Sequence, residues 1–309
     1  MHPLPARPSA QPCRFTATAV AVLAAALLGT APAGAQMSYP SAEAASQAFV
    51  DAVRGSDNEA LHRVLGADWK RVVQADTIAR SDIEAFLTAW QHGHKIEPQA
   101  DGSARLSVGP QGWTLPIPLV ATASGWRFDP RRGADELRTR RIGRNELAAM
   151  QAALAYLDAQ REYAIKDRDG NGVHEYAQKL RSAAGRHDGL YWPDAPGQDR
   201  SPLGPWFARA QPKQSAGYHG YFYKILSSQG SHAPGGAYDY LIGGRMRAGF
   251  ALLAWPVRYG DSGVMSFMVS HDGVLFEKDL GPGTSTAART MSRFDPDASW
   301  TRVAVPERP

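Results

Sequence analysis

Residues 167–176, DRDGNGVHEY, set Asp167, Asp169 and Asn171 at alternate positions and follow them at once with Gly172. In a calcium loop flanked by helices, oxygens come from positions 1, 3, 5, 7, 9 and 12, and a glycine at position 6 makes the sharp turn. Counting from Asp167, the loop continues with the carbonyl of Val173 at 7 and Glu175 at 9. The twelfth residue is Gln178 where a bidentate glutamate would complete the set, so one charge and a chelating pair are lost. The predicted affinity falls in the roughly millimolar range of extracellular modules. The same residues also admit an ion-free reading, in which Asp169 or Asn171 caps a helix starting near Val173 and Gly170 and Gly172 supply positive φ. Under either reading the loop is a stabiliser and no catalyst, and calcium is the one cofactor the residues suggest.

Other constellations carry less chemistry. Ser262 in GDSGVMSF has an acid before it and a glycine after it, with His219 and His271 as conceivable bases, but the surroundings read as a turn between two apolar runs. No G-x-S-x-G elbow supports a nucleophile there. His92 and His94 stand two apart, and a zinc site would need a further ligand from elsewhere; HExxH is absent. Tyr191, Trp192, Tyr221 and Tyr223 are candidates for a ligand-stacking platform, although aromatics alternating along strands are more often core. No phosphate-cradling glycine loop joins a strand to a helix. The catalytic residues therefore stay unknown, with Ser262 or dispersed carboxylates as the hydrolase alternative.

The compartment is more legible. A basic start with Arg7 and Arg14, an apolar run from Phe15 to Leu28, and Ala33 and Ala35 before Gln36 have the form of a secretory signal peptide cleaved after Ala35. The apolar run is shorter than the about 20 residues a bilayer span requires, and no later segment is apolar for that length. The single cysteine, Cys13, lies in the leader, so the mature chain has neither disulfides, thiolate nucleophile nor cysteine-bound zinc. Net charge is +4 over 309 residues, part of it from the leader, which is too near balance to imply nucleic acid.

These residues must be positioned by two predicted units, 36–130 and 144–309, joined by an Arg-rich connection at 131–143. In the first, Ser41 and Asp57 mark helix starts, Ser81 and Glu84 form a capping box, and Leu61, Val64, Ile83, Phe86 and Trp90 supply apolar faces. Short strands follow from His94 to Asp129, with Pro116 and Pro118 confined to an edge or a bulge. The order is similar to cone-shaped domains of the nuclear-transport-factor-2 type. In the second unit a long helix from Arg144 carries Leu147, Met150, Leu154 and Leu157 on one side, and Val173, Tyr176, Ala177 and Leu180 predict a further helix after the loop. Strands resume at Tyr218, and Asp272–Gly273 between alternating apolar runs predicts a hairpin. The class is α+β: helices plus an antiparallel meander, then a long helix, a helix-loop-helix and an antiparallel sheet.

The segments RIGRNELAAMQAALAYLDAQREYAIKDRDGNGVHEYAQKL, DGLYWP, SPLGP, YHGYFYKIL, GFALLAWPVRYGDSGVMSF and HDGVLFEKDLG resemble a bacterial exported family, domain of unknown function 2950. The resemblance implies an envelope location and attaches no activity. From Arg144 onward the layout is also similar to the globular part of type II pseudopilins, but the apolar N-terminal stretch used for their assembly has no counterpart in an amphipathic mid-chain helix. The sequence thus points to a periplasmic or secreted, soluble, non-enzymatic binding or envelope-assembly protein. Its partner would be an envelope protein or a glycan, not nucleic acid.

Overall fold

The computed structural model describes residues 36–73, 78–168, 170–208 and 217–304. Helix α1 (Ala42–Arg54) begins where Ser41 Oγ accepts the Ala44 amide, and α2 (Asn58–Leu65) where the Asp57 carboxylate accepts the amides of Glu59 and Ala60. Each cap satisfies amides that the first helical turn leaves without partners. Helix α3 (Arg80–His92) corrects the predicted box: its cap lies two residues earlier, at Ala79, and Asp82, not Glu84, reaches back to the Ala79 amide at 3.2 Å. Glu84 pairs with Arg80 instead.

The helices cover a meander of β1 (His94–Pro98), β2 (Ala104–Val108), β3 (Trp113–Thr114), β4 (Leu119–Thr122) and β5 (Gly125–Phe128), in spatial order β1-β2-β4-β5 with β3 beside β2. Pro116 and Pro118 fall between β3 and β4, where no ladder needs their missing N–H groups. Phe49, Leu65, Leu106, Leu119 and Phe128 close this first core.

The Arg-rich stretch is not a linker. Asp129 caps a single helix, α4 (Pro130–Tyr163), that runs through residues 131–143 without a break, with Pro130 in its first turn. Its first half lies on the meander and on residues 67–72: a Cβ added at Gly133 would come within 3.1 Å of the Ile117 and Val72 side chains, and Arg131, Arg132 and Arg140 bond Asp68, Asp101 and Thr114. Arginines that read as a solvated run are thus spent on acids and a hydroxyl of the first unit.

The second half of α4 lies over an antiparallel sheet built from β6 (Tyr221–Leu226), β11 (Ala251–Pro256), β12 (Met265–Ser270), β13 (Leu275–Asp279) and β15 (Thr301–Arg302), in order β15-β13-β12-β11-β6. Between them the chain forms the short α5 (Pro205–Ala208) and the two-residue strands β7 (Ser228–Gln229), β8 (Tyr238–Asp239), β9 (Leu241–Ile242) and β10 (Arg245–Met246). Helix α6 (Thr284–Thr290) and β14 (Arg293–Phe294) precede β15. Lys224 Nζ donates to the carbonyls of Arg289 and Met291, so α6 covers the sheet face opposite Tyr221 and Tyr223. The Asp272–Gly273 hairpin forms as predicted, with Gly273 at φ +80° and its amide on the Ser270 carbonyl.

One sequence expectation is corrected in part and one is overturned: Leu157 is buried and Met150 packs on the core as expected, but most of the stripe differs. The buried face of α4 is Ala149, Ala152, Ala153, Tyr156, Leu157, Gln160 and Tyr163, whereas Leu147 is 54% exposed. Alanines allow the helix to approach the sheet closely, and Tyr156 and Gln160 can enter because their polar atoms find partners. The helix predicted after Val173 does not form: 173–180 is extended and irregular, and Tyr176 bridges Met246. Tertiary pairing there outweighs the apolar spacing. The α+β class stands, but the helix-loop-helix within it does not.

The second core holds Tyr156, Tyr221, Tyr223, Phe250, Trp255, Phe267 and Phe294, each under 2% exposed. Full burial of such side chains contributes about 1.5–3 kcal/mol apiece. Burial on this scale accounts for a fold with no cysteine among its described residues.

Candidate functional site

Ser262 sits in the turn joining β11 to β12 and is 5% exposed. Its Oγ accepts the Arg258 amide at 2.9 Å and donates to the Arg258 carbonyl at 3.1 Å, so its proton and a lone pair staple the turn. Helix α4 holds the same turn from outside. Arg141 bonds the Asp261 carboxylate, Asn145 donates to the Ser262 carbonyl at 2.8 Å, and Glu146 accepts the amides of Val264 and Met265 at 2.9 and 3.0 Å. Arg258 also pairs with Asp261, and these guanidinium contacts hold the carboxyl below its usual range.

Both hydrogen bonds of this hydroxyl go to Arg258, and neither histidine shares one with it. His271 follows the end of β12 while Ser262 precedes its start, a separation of about 20 Å at ~3.3 Å per residue. His271 instead meets Tyr238 Oη through Nε2 at 3.2 Å and packs against Tyr240 and Phe250. The His219 ring lies tilted against Tyr218 at a left-handed φ of +50°, next to Gly220, whose open Cα faces Asn145 and Ser262.

In the loop after α4, Asp167 Oδ1 and Oδ2 accept the amides of Asn171 and Gly172 at 3.1 and 2.8 Å. Asn171 Oδ1 accepts the Val173 amide, and its Nδ2 donates to Glu175 Oε1 at 2.8 Å. Gly170 and Gly172 adopt φ of +71° and +81° as the turn requires. Asp169 lies outside the described residues. Among the described residues no group of three or more His, Cys, Asp or Glu is placed to hold a metal.

Glu175 also lines a hollow of about 200 Å³ with Tyr163, Tyr176, Gln178, Lys179 and Asp188. Lys179 and Asp188 pair across it at 2.6 Å. Burial raises the Asp188 pKa and the Lys179 ammonium opposes it, with a net lowering. This volume is below the ~300–1,000 Å³ of small-molecule sites. A second hollow, about 400 Å³, lies between the β12–β13 turn and residues 302–304.

The aromatic platform is corrected. Trp192 is 2% exposed and Tyr221 and Tyr223 are fully buried; only Tyr191 reaches solvent in part. Tyr221 Oη donates to the Met265 carbonyl and Trp192 Nε1 to the Asp199 carbonyl, so these rings serve the core. Burial pushes both tyrosine hydroxyls far above the ordinary phenol value. His92 and His94 do not form a pair either: they bond the carbonyls of Thr88 and Trp90, the last turn of α3, and the His94 ring stacks on Trp90 at 3.5 Å.

Sequence reasoning missed Asn145, Glu146 and Gln160. Gln160, wholly buried, donates to Tyr156 Oη and the Ala177 carbonyl and accepts the Ala177 amide, each at 2.8 Å. A polar residue at helical spacing reads as solvated, and its only signal was position: Gln160 falls four residues after Tyr156.

No helix among the described residues is long and apolar enough to cross a membrane. A family model, Protein of unknown function (DUF2950), matches residues 36–303. No curated protein and no solved structure matches the chain, and the pseudopilin-like layout is not confirmed. With a match that spans nearly all of the described residues, the chain belongs to the DUF2950 family of proteins of unknown function.

Proposed function

We propose that this protein is exported into the bacterial envelope and acts there by binding another protein, without catalysis. The leader-like segment before Gln36 supports the location. The observation that carries the rest is the state of Ser262, whose hydroxyl is engaged in both directions by Arg258 while His271 stands at the far end of the strand. A nucleophile needs its base within hydrogen-bond reach. Burial of Trp192, Tyr221 and Tyr223 speaks against these rings as a stacking platform for a glycan and so supports the choice of a protein partner. Fractionation of the native host followed by crosslinking in the envelope tests this. The reading expects the mature chain in the periplasmic or secreted fraction with a reproducible crosslinked protein. A cytoplasmic chain would overturn the location, and turnover of an ester or peptidoglycan substrate would overturn the non-catalytic reading in favour of the hydrolase alternative.

The loop at 167–175 fits this reading as a hydrogen-bonded turn. Calcium would have to compete with amides already held by both Asp167 oxygens and by Asn171 Oδ1.

A further inference from the structure

Cleavage after Ala35 would leave Gln36 as the amino-terminal residue of the mature chain. A free N-terminal glutamine is chemically unstable. Its α-amino nitrogen can attack the side-chain carboxamide, forming the N–Cδ bond of a lactam ring while the Cδ–Nε2 bond breaks and ammonia leaves with the amine's proton. No further reagent is consumed. The reaction requires Cδ to swing back onto the terminal nitrogen, so its rate depends on where the carboxamide is held.

In this fold the carboxamide is already engaged. Gln36 Nε2 donates to the Phe128 carbonyl at 2.7 Å and the Val64 carbonyl at 3.1 Å, which uses both of its N–H groups. One acceptor ends β5 and the other lies in α2, so the side chain ties helix layer to sheet. Gly66, at φ +81°, leaves room for it: a Cβ there would lie 3.2 Å from Gln36 Cβ, Cδ and Oε1. The following backbone is stitched down as well. The Met37 amide bonds the Arg63 carbonyl, and Tyr39 and Trp126 exchange both amide–carbonyl bonds at 2.8 and 2.7 Å. First residues of a domain are ordinarily loose unless tied in this way.

We propose that Gln36 is the anchor of the mature terminus, and that the folded chain thereby protects it from cyclising to pyroglutamate. The proposal rests on the export reading, because only leader removal at Ala35 exposes the reactive amine. Ring closure would break both carboxamide hydrogen bonds and draw the side chain out from between α2 and β5.

The test uses the full chain exported through its own leader and purified folded. Intact mass and N-terminal sequencing should find a chain starting at Gln36 that has kept its ammonia. On incubation at neutral pH, the folded protein should cyclise about tenfold more slowly, or better, than the same protein unfolded in urea, as two retained hydrogen bonds imply. A Gln36→Ala chain, unable to cyclise, should lose its first residues to an aminopeptidase faster than the parent. Equal cyclisation rates folded and unfolded, or a purified chain already closed, would overturn the proposal while leaving export intact. A terminus at any other residue would overturn it through the leader reading instead.

Discussion

The side-chain amide of Asn145 donates to the Ser262 carbonyl at 2.8 Å, joining the middle of a 34-residue helix to the turn that carries the most reactive-looking residue in the chain. Glu146, the next residue, takes the amides of Val264 and Met265. The helix therefore shapes that turn through two adjacent polar side chains. Glu146→Ala leaves the amides of Val264 and Met265 without this acceptor and should cost about 2 kcal/mol, and Asn145→Ala about 1 kcal/mol. Urea denaturation of each variant measures both; two neutral substitutions would contradict the clamp.

Gln160 should matter more than its appearance in the sequence suggests. Gln160→Ala strands the buried amide and carbonyl of Ala177 together and is expected to cost about 3 kcal/mol, with faster hydrogen exchange at Ala177. A loss below about 1 kcal/mol would mean water replaces it.

Acid should loosen the contacts that α4 makes through Asp68 and Asp101. Asp101 is drawn down to about 2, chiefly by the hydroxyl and amide of Ser103 and then by Arg132. Asp68 is lowered chiefly by its bond to Arg131. Both carboxyls titrate lower folded than unfolded, so the unfolded chain binds more protons and stability rises with pH. Their contribution is complete above the unfolded value of 3.8 and is lost as pH falls through the folded one. Asp101 is exposed and Asp68 partly so, and high salt should shrink the effect. Asp101→Asn should flatten the acid limb of stability between about pH 4 and 2, read by thermal unfolding at stepped pH. An unchanged limb would contradict the assignment.

For the loop, calcium at about ten times the roughly millimolar affinity of extracellular modules should leave the melting temperature where it was. A rise that Asp167→Ala abolishes would establish the ion reading instead.

Local chemistry was legible in the sequence where a single residue decides the outcome. Ser41 and Asp57 cap their helices and Gly273 turns its hairpin as expected, because each acts on amides one to three residues away. What was hidden depends on distant partners. Arg131 and Arg132 could not be seen to belong to a helix until Asp68 and Asp101 were placed beside them. Residues 173–180 have helical spacing, yet Tyr176 gains more by pairing with Met246 and packing on Phe250, rings 4.7 Å apart, than from a local turn. The buried stripe of α4 was partly misplaced because alanines, tyrosines and Gln160 form most of it, with Leu157 kept and Leu147 turned to solvent.

Ser262 offers the most direct test of whether this chain binds or catalyses. Purified mature protein and Ser262→Ala should be compared on one panel of ester and peptidoglycan substrates, with circular dichroism to confirm that both are folded. The account predicts equal background hydrolysis and a variant less stable by about 1 kcal/mol, from the two lost bonds to Arg258. Turnover by the parent that disappears in a folded Ser262→Ala protein would contradict it.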